Sequence, residues 1–253
     1  MNAQGLALAA LAAAAGNALN SAAGGGSFIS FPALIFLGIP SIPANATNST
    51  GMWVGGFGLI GGYRKELIQP SRKLIAAVAT CVVAGTLGGI LLLRTPQNTF
   101  NTLIPWLLLL STLLFAFAPF VRKLAGQSGE DRRDLPYIWL LGLFPVALYG
   151  GFFGGGQGIL TLALFGLAGM TNINRMNAVK SLLVFVNNGT PLIAFIAAGV
   201  VRWDVAAAMS VGALVGGYGG ARIARRIAPQ YVRAFVIAVG TIMTIVFFVR
   251  LWR

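Results

Sequence analysis

No histidine occurs anywhere in the 253 residues, and cysteine occurs once, at Cys81. These two absences exclude a disulfide framework within the chain, Cys/His zinc sites and Cys–His catalysis. Acidic residues are almost as scarce: Glu66, Glu130, Asp131, Asp134 and Asp204 are the full set. All of them fall in links between apolar runs or at run ends. No carboxylate therefore stands in mid-run to relay protons or to neutralise a cationic substrate. No nucleophile–base or metal constellation can be assembled from what is left, so the chain reads as a non-enzyme that needs neither cofactor nor metal.

Charge of either sign is thin. Only 9% of residues are charged, against roughly 25% in soluble domains, while 57% are hydrophobic and the mean hydropathy is +0.82. This is the composition of an integral membrane protein, whose first partner is the lipid bilayer. The net charge of +13 arises from 18 Lys and Arg against 5 acids, and the bases sit in short links between apolar runs. No basic stretch is long enough to follow a phosphate backbone, so nucleic acid is set aside as a partner. The N-terminal stretch `MNAQGLALAALAAAAGNALNSAAGGG` lacks the Lys or Arg of a signal-peptide n-region and reads as a retained membrane segment.

Apolar runs lie at about Ala3–Ala23, Ser27–Gly38, Asn45–Gly62, Leu74–Leu93, Leu103–Val121, Tyr137–Phe153, Gly158–Met170, Asn177–Ala198, Asp204–Ala221 and Val232–Val249. Most approach the roughly 20 residues that a helix needs to cross the hydrocarbon. Ser27–Gly38 and Gly158–Met170 are too short to cross unaided and read as half-helices sheltered by neighbours. The expected fold is all-α, a polytopic membrane protein.

Three basic clusters fix the threading: Arg64, Lys65, Arg72 and Lys73; Arg122, Lys123, Arg132 and Arg133; Arg222, Arg225, Arg226 and Arg233. The positive-inside rule places all three in the cytoplasm, which requires an even number of crossings between successive clusters. Treating Tyr137–Met170 as one span gives an odd number. A reversal at Gly154-Gly155-Gly156 restores an even count and leaves fourteen bases inside against four outside.

The reversal has a twin. `GGGSFISFPALIFLGIPSIPANATNS` (Gly24–Ser49) is matched about 130 residues later by `GGGQGILTLALFGLAGMTNINRMNAVKS` (Gly154–Ser181), with `NATNS` against `NAVKS` the clearest pairing. `AGTLGG` (Ala84–Gly89) is echoed by `VGGYGG` (Val215–Gly220), and `TPQNTF` by `APQYVRAF`. Each half then holds five segments. An odd number means that the halves enter the membrane from opposite sides, as in the inverted repeats of many secondary transporters. The corresponding division is residues 1–121 for the first transmembrane repeat, 122–136 for a cytoplasmic linker and 137–253 for the second, inverted repeat.

Non-helical backbone at membrane depth is tolerated only where it is buried in protein or lines a cavity. Gly24, Gly25 and Gly26 before Ser27, and Gly154, Gly155 and Gly156 before Gln157, therefore read as breaks that aim helix N-termini at a binding site. The plainer alternative is that these glycines only let helices pack closely. Asn45, Thr47, Asn48 and Ser49 open one long helix and Asn177, Lys180 and Ser181 open its counterpart, while Asn187 and Asn188 precede a Gly-Thr-Pro interruption. For each Asn or Thr, interhelical glue stands beside the ligand role. Lys180 is an intramembrane base and so a functional candidate, with snorkelling to the surface as its alternative; Arg175 reads as a topology anchor and Cys81 as a packing residue. A neutral-polar site with one lysine and helix N-termini suits a small anion.

These stretches resemble the TauE/SafE family, also called the sulfite exporter or toluene-sulfonate uptake permease (TSUP) family, over both halves of the chain. The resemblance implies a multi-pass permease of the bacterial inner (plasma) membrane for small sulfur-containing anions such as sulfite, organosulfonates or sulfoacetate, often acting as an exporter. It implies functional stretches at Gly24–Ser27 with Asn45–Ser49 and at Gly154–Gln157 with Asn177–Ser181. A small-anion channel, and a carrier for another small solute or a metal ion, are the competing functions. The sequence leaves open the anion, the direction of transport, the coupling ion (proton or sodium) and the oligomeric state, a homo-oligomer included.

The threading makes a direct prediction. In a Cys81→Ala background, Ser41→Cys is expected to react with a membrane-impermeant thiol reagent from outside intact cells, and Ile173→Cys only after the cytoplasmic face is exposed. The reverse pattern would overturn the assigned orientation.

Overall fold

The computed structural model describes residues 1–22, 25–62, 71–124, 137–170, 172–224 and 229–252. Within them the chain forms eleven α-helices: α1 (Ala3–Ala22), α2 (Ser27–Phe36), α3 (Ser41–Gly62), α4 (Arg72–Arg94), α5 (Gln97–Leu124), α6 (Trp139–Phe152), α7 (Gln157–Leu167), α8 (Ile173–Gly189), α9 (Pro191–Ala197), α10 (Trp203–Ala224) and α11 (Pro229–Leu251). The all-α expectation holds. Arg64, Lys65, Arg132, Arg133, Arg225 and Arg226 lie outside the described residues, as does every acid but Asp204. So does most of the expected linker; its first three residues continue α5 as far as Leu124.

The short helices stop for a local reason. After α2, α7 and α9 a glycine takes a left-handed conformation: Gly38 (φ 84°), Gly169 (φ 92°) and Gly199 (φ 65°). The next amide reaches back to an orphaned carbonyl in each case, Ile39 to Leu34 at 3.1 Å, Met170 to Phe165 at 3.0 Å and Val200 to Phe195 at 3.3 Å. This is the Schellman arrangement that closes a helix C-terminus. The expected run Asn177–Ala198 is cut into α8 and α9, because Pro191 has no N–H for the carbonyl of Asn187. The hydroxyl of Thr190 donates to that carbonyl instead, at 3.3 Å. Helix α3 begins at Ser41, earlier than the expected Asn45, since Pro43 falls in the first turn, where an amide has no helical partner to lose.

Inside and outside are reversed relative to a soluble protein. Ile75, Leu141 and Val211 are 62%, 74% and 64% exposed, whereas Asn17, Thr47 and Asn187 are fully buried. Large apolar side chains facing outward with amides facing inward is the distribution a bilayer selects. Three stretches among the described residues, Arg72–Arg94, Arg175–Ala197 and Ala234–Leu251, are long and apolar enough to cross a membrane.

Glycine sets how closely the helices approach. A Cβ on Gly212 or Gly216 of α10 would lie 2.0 Å from the carbonyl oxygen of Ala10 or Ala14 on α1. On the other side of the molecule, a Cβ on Gly88 of α4 would lie 2.2 Å from the Leu148 carbonyl of α6, and one on Gly151 would lie 2.1 Å from that of Gly85. Dispersion between closely approaching backbones is what holds helices together where lipid is as apolar as leucine. Cys81 is buried beside Ala77, Ala84, Trp139 and Phe165, the packing role expected of it.

The helix partners also correspond between halves. Helix α1 packs on α10 as α6 packs on α4; α3 packs on α10 as α8 and α9 pack on α4; α2 lies against α1, α3 and α11 as α7 lies against α6, α8 and α5. Helices α3 and α8 meet each other, as do α5 and α11.

Two glycines in α10 separate close packing from mere helix propensity. Gly212→Ala is expected to destabilise the detergent-solubilised protein by about 1–3 kcal/mol, since the added methyl has no room. Gly219→Ala, where a Cβ meets nothing within 4 Å, is expected to be neutral or to raise the melting temperature. Equal effects at both sites in a thermal melt would overturn this account of the α1–α10 contact.

Candidate functional site

The two glycine breaks meet. Gly25, Gly26 and Ser27 from the first, and Gly154, Gly156 and Gly158 from the second, line one cavity of about 50 Å³. The rest of its wall is Asn20 on α1, Met52, Trp53 and Gly56 on α3, and Lys180, Ser181, Val184, Phe185 and Asn188 on α8. Both halves of the chain therefore build the hollow. It has room for several waters or one small solute.

Backbone geometry at the breaks explains the glycines. Gly25 (φ 92°), Gly154 (φ 79°) and Gly156 (φ 79°) adopt conformations that a side chain disfavours. Gly26 is required for space as well, because a Cβ there would sit 2.2 Å from the Gly16 carbonyl. So the packing and site roles that the sequence left as alternatives coincide at Gly26. Both short helices start at this wall, where first-turn amides lack helical partners. No acceptor among the described residues meets the amides of Gly26, Ser27, Gly156 or Gly158. Each terminus also carries the positive end of its helix dipole, about half a charge.

Lys180 supplies the full charge. Its side chain is 8% exposed and its Nζ donates to Oδ1 of Asn177 at 3.2 Å. No carboxylate among the described residues pairs with it. The one described acid, Asp204, is bound to Arg202 at 3.2 Å and to the Met1 amino group at 3.1 Å. Among the described residues there is no group of three or more His, Cys, Asp or Glu side chains that could hold a metal ion.

One side of the cavity is aromatic. Trp53 and Phe185 stack with ring centroids 5.1 Å apart and 20° between planes, and Phe57 meets both edge-on. Trp53 and Phe185 occupy equivalent places, each four residues beyond the serine that ends `NATNS` or `NAVKS`. That spacing is one helical turn, so following the face of Ser49 and Ser181 would have found them.

The other sequence candidates are placed elsewhere. Asn45, 1% exposed, donates to the Phe152 carbonyl at 2.9 Å, and Thr47 accepts from the Arg202 amide at 3.0 Å. Both bonds tie α3 to the second half rather than facing the cavity. Asn48 is buried, Ser49 is half-buried and Asn177 stands behind Lys180. Gln157 and Asn187 press against Gly150 from two sides, so close that a Cβ there would lie 2.4 Å from Oε1 of one and 2.5 Å from Nδ2 of the other. Those two atoms have no partner among the described residues, nor does Oδ1 of Asn45, Asn48 or Asn187. Gly155 turns its carbonyl away from the cavity, and Gly24 lies outside the described residues.

Three relatives show the same extent of likeness. A probable membrane transporter protein, ORF9, of Sinorhizobium sp is 27% identical over 230 residues, covering 90% of this chain and 86% of its own. A probable membrane transporter protein of Haemophilus influenzae is 27% identical over 227 residues, covering 89% and 88%. The probable membrane transporter protein YfcA of Escherichia coli K12 is 29% identical over 231 residues, covering 89% and 83%. The family model described as sulfite exporter TauE/SafE matches residues 8–247, which takes in both glycine breaks, both polar helix starts, helices α2 to α10 and most of α1 and α11. The chain belongs to the sulfite exporter TauE/SafE family and is a membrane transporter.

Proposed function

We propose that the cavity binds a small sulfur-containing anion, of the sulfite, organosulfonate or sulfoacetate type, and that the protein exports it across the bacterial inner membrane. The observation that carries this reading is Lys180. A buried ammonium with no carboxylate partner among the described residues is costly in a membrane protein, and the cost is offset when an anion sits beside it. The amides of Ser27 and Gly158 supply donors to the same hollow, as helix N-termini do for oxyanions. The aromatic side formed by Trp53 and Phe185 suits the carbon portion of a sulfonate better than bare sulfite.

Alternating access fits an inverted repeat, and export is the direction named in the family's description. If the halves are inverted, rocking one against the other opens the hollow to each face in turn. The matched helix pairings and the count of bases on the two sides both support that inversion. Asn45 and Thr47, which bridge the halves, would have to let go of their partners in each cycle.

A thermal-shift and liposome-flux series with sulfite, sulfate, taurine, sulfoacetate and short carboxylates tests the reading. Wild-type protein is expected to respond to sulfur oxyanions in a saturable manner. Lys180→Gln is expected to weaken binding by about ten- to a hundredfold, the worth of a charge-assisted hydrogen bond, while the protein still inserts and folds. Wild-type rates in Lys180→Gln would remove the lysine from the site, and an equal response to neutral solutes would remove the anion.

A further inference from the structure

The glycine triplet at the second break permits many backbone conformations, yet one is held. The carbonyl of Gly155 receives two hydroxyls: Tyr149 Oη at 2.7 Å and Ser111 Oγ at 2.8 Å. The two hydroxyl oxygens also contact each other, and Ser111 Oγ lies 2.7 Å from the Leu107 carbonyl of its own helix, so its single hydrogen is shared between that carbonyl and Gly155. Ser111 is 1% exposed and lies on α5, in the first half of the chain; Tyr149 lies on α6, one turn before the break.

A peptide unit is planar and trans, so its carbonyl and the following N–H point in opposite directions. Holding the Gly155 oxygen on Tyr149 and Ser111 turns the Gly156 amide hydrogen the other way. Gly156 is in the wall of the cavity, and its amide has no acceptor among the described residues. With glycine at both ends of that peptide, Gly155 and Gly156, no side chain obstructs its rotation. The hydroxyls provide the restraint that the glycines remove.

Among the described residues the first break has no such pair. The residue corresponding to Tyr149, five before the triplet, is Leu19. The residue corresponding to Ser111, by the match of Pro96 with Pro229, is Thr244, whose hydroxyl donates to Gly240 within its own helix at 2.7 Å. The arrangement is therefore specific to the break before α7, with one hydroxyl from each half.

We infer that Tyr149 and Ser111 are positioning residues that fix the Gly155–Gly156 peptide so that the Gly156 amide faces the transported anion. The inference rests on the anion reading of the cavity. Removing either hydroxyl lets the peptide rotate and present its carbonyl to an anion, which repels it.

Tyr149→Phe and Ser111→Ala, each in the full-length chain, test this by calorimetric titration with sulfite and with sulfoacetate, alongside the melting temperature of the ligand-free protein. The expected result is a Kd raised about tenfold in each variant with the ligand-free melting temperature unchanged. In the double variant the loss is expected to be smaller than the product of the two, because both hydroxyls act on one carbonyl. Unchanged Kd in both variants, whether or not they melt earlier, overturns the positioning role and leaves the anion site standing. If the wild type binds neither probe while Lys180→Gln transports normally, the anion reading itself fails and this inference falls with it.

Discussion

A polypeptide that ends a helix inside hydrocarbon must find partners for amides and carbonyls that water cannot reach. Two such ends occur here, at the glycine breaks before α2 and α7. The fold is arranged around supplying those partners. Gly16 and Gly26 let α1 and α2 approach until each backbone shields the other, and Ser111 and Tyr149 converge on Gly155. The far ends of the same two short helices are closed by Gly38 and Gly169. Once the carbonyls are satisfied by protein, the first-turn amides are what remain, and they line a shared hollow.

Much of this was legible in the chain. Both breaks are written as glycine triplets, both C-terminal closures as single glycines, and the cut between α8 and α9 as Gly189-Thr190-Pro191. Each is a case where backbone conformation, rather than side-chain packing, dictates the residue. Lys180 stood out because a base within an apolar run needs a reason. The polar cassette was less readable. Asn45 and Thr47 carry the same chemistry as a ligand residue, and only the helix's rotation shows that they meet Phe152 and Arg202 instead. Tyr149 and Ser111 were out of reach, since nothing in the order of residues brings α5 against the break before α7.

The two halves correspond in some parts and not in others. The scaffold parts recur: triplet, short helix, left-handed glycine and polar helix start. The chemical parts do not. Asn48 stands where Lys180 stands, Trp53 where Phe185 stands, and Leu19 where Tyr149 stands. Gly88 is jammed against Leu148, whereas its counterpart Gly219 touches nothing within 4 Å. Helix pairing corresponds while individual side chains, and the closeness of packing at Gly88 and Gly219, diverge.

That asymmetry bears on turnover. A carrier must hold its substrate firmly enough to select it and weakly enough to release it on the far side. At an effective dielectric near 20, one full charge at about 4 Å contributes roughly 4 kcal/mol of attraction before desolvation is subtracted. A second lysine in the cavity wall would add a similar amount, and nothing among the described carboxylates would offset it. With one ammonium, partial charges from two helix ends and an aromatic side that adds contact without charge, attraction stays within the range from which a singly charged anion escapes. On the proposed reading, the oriented Gly156 amide would supply discrimination that a further charge would supply only at the expense of turnover.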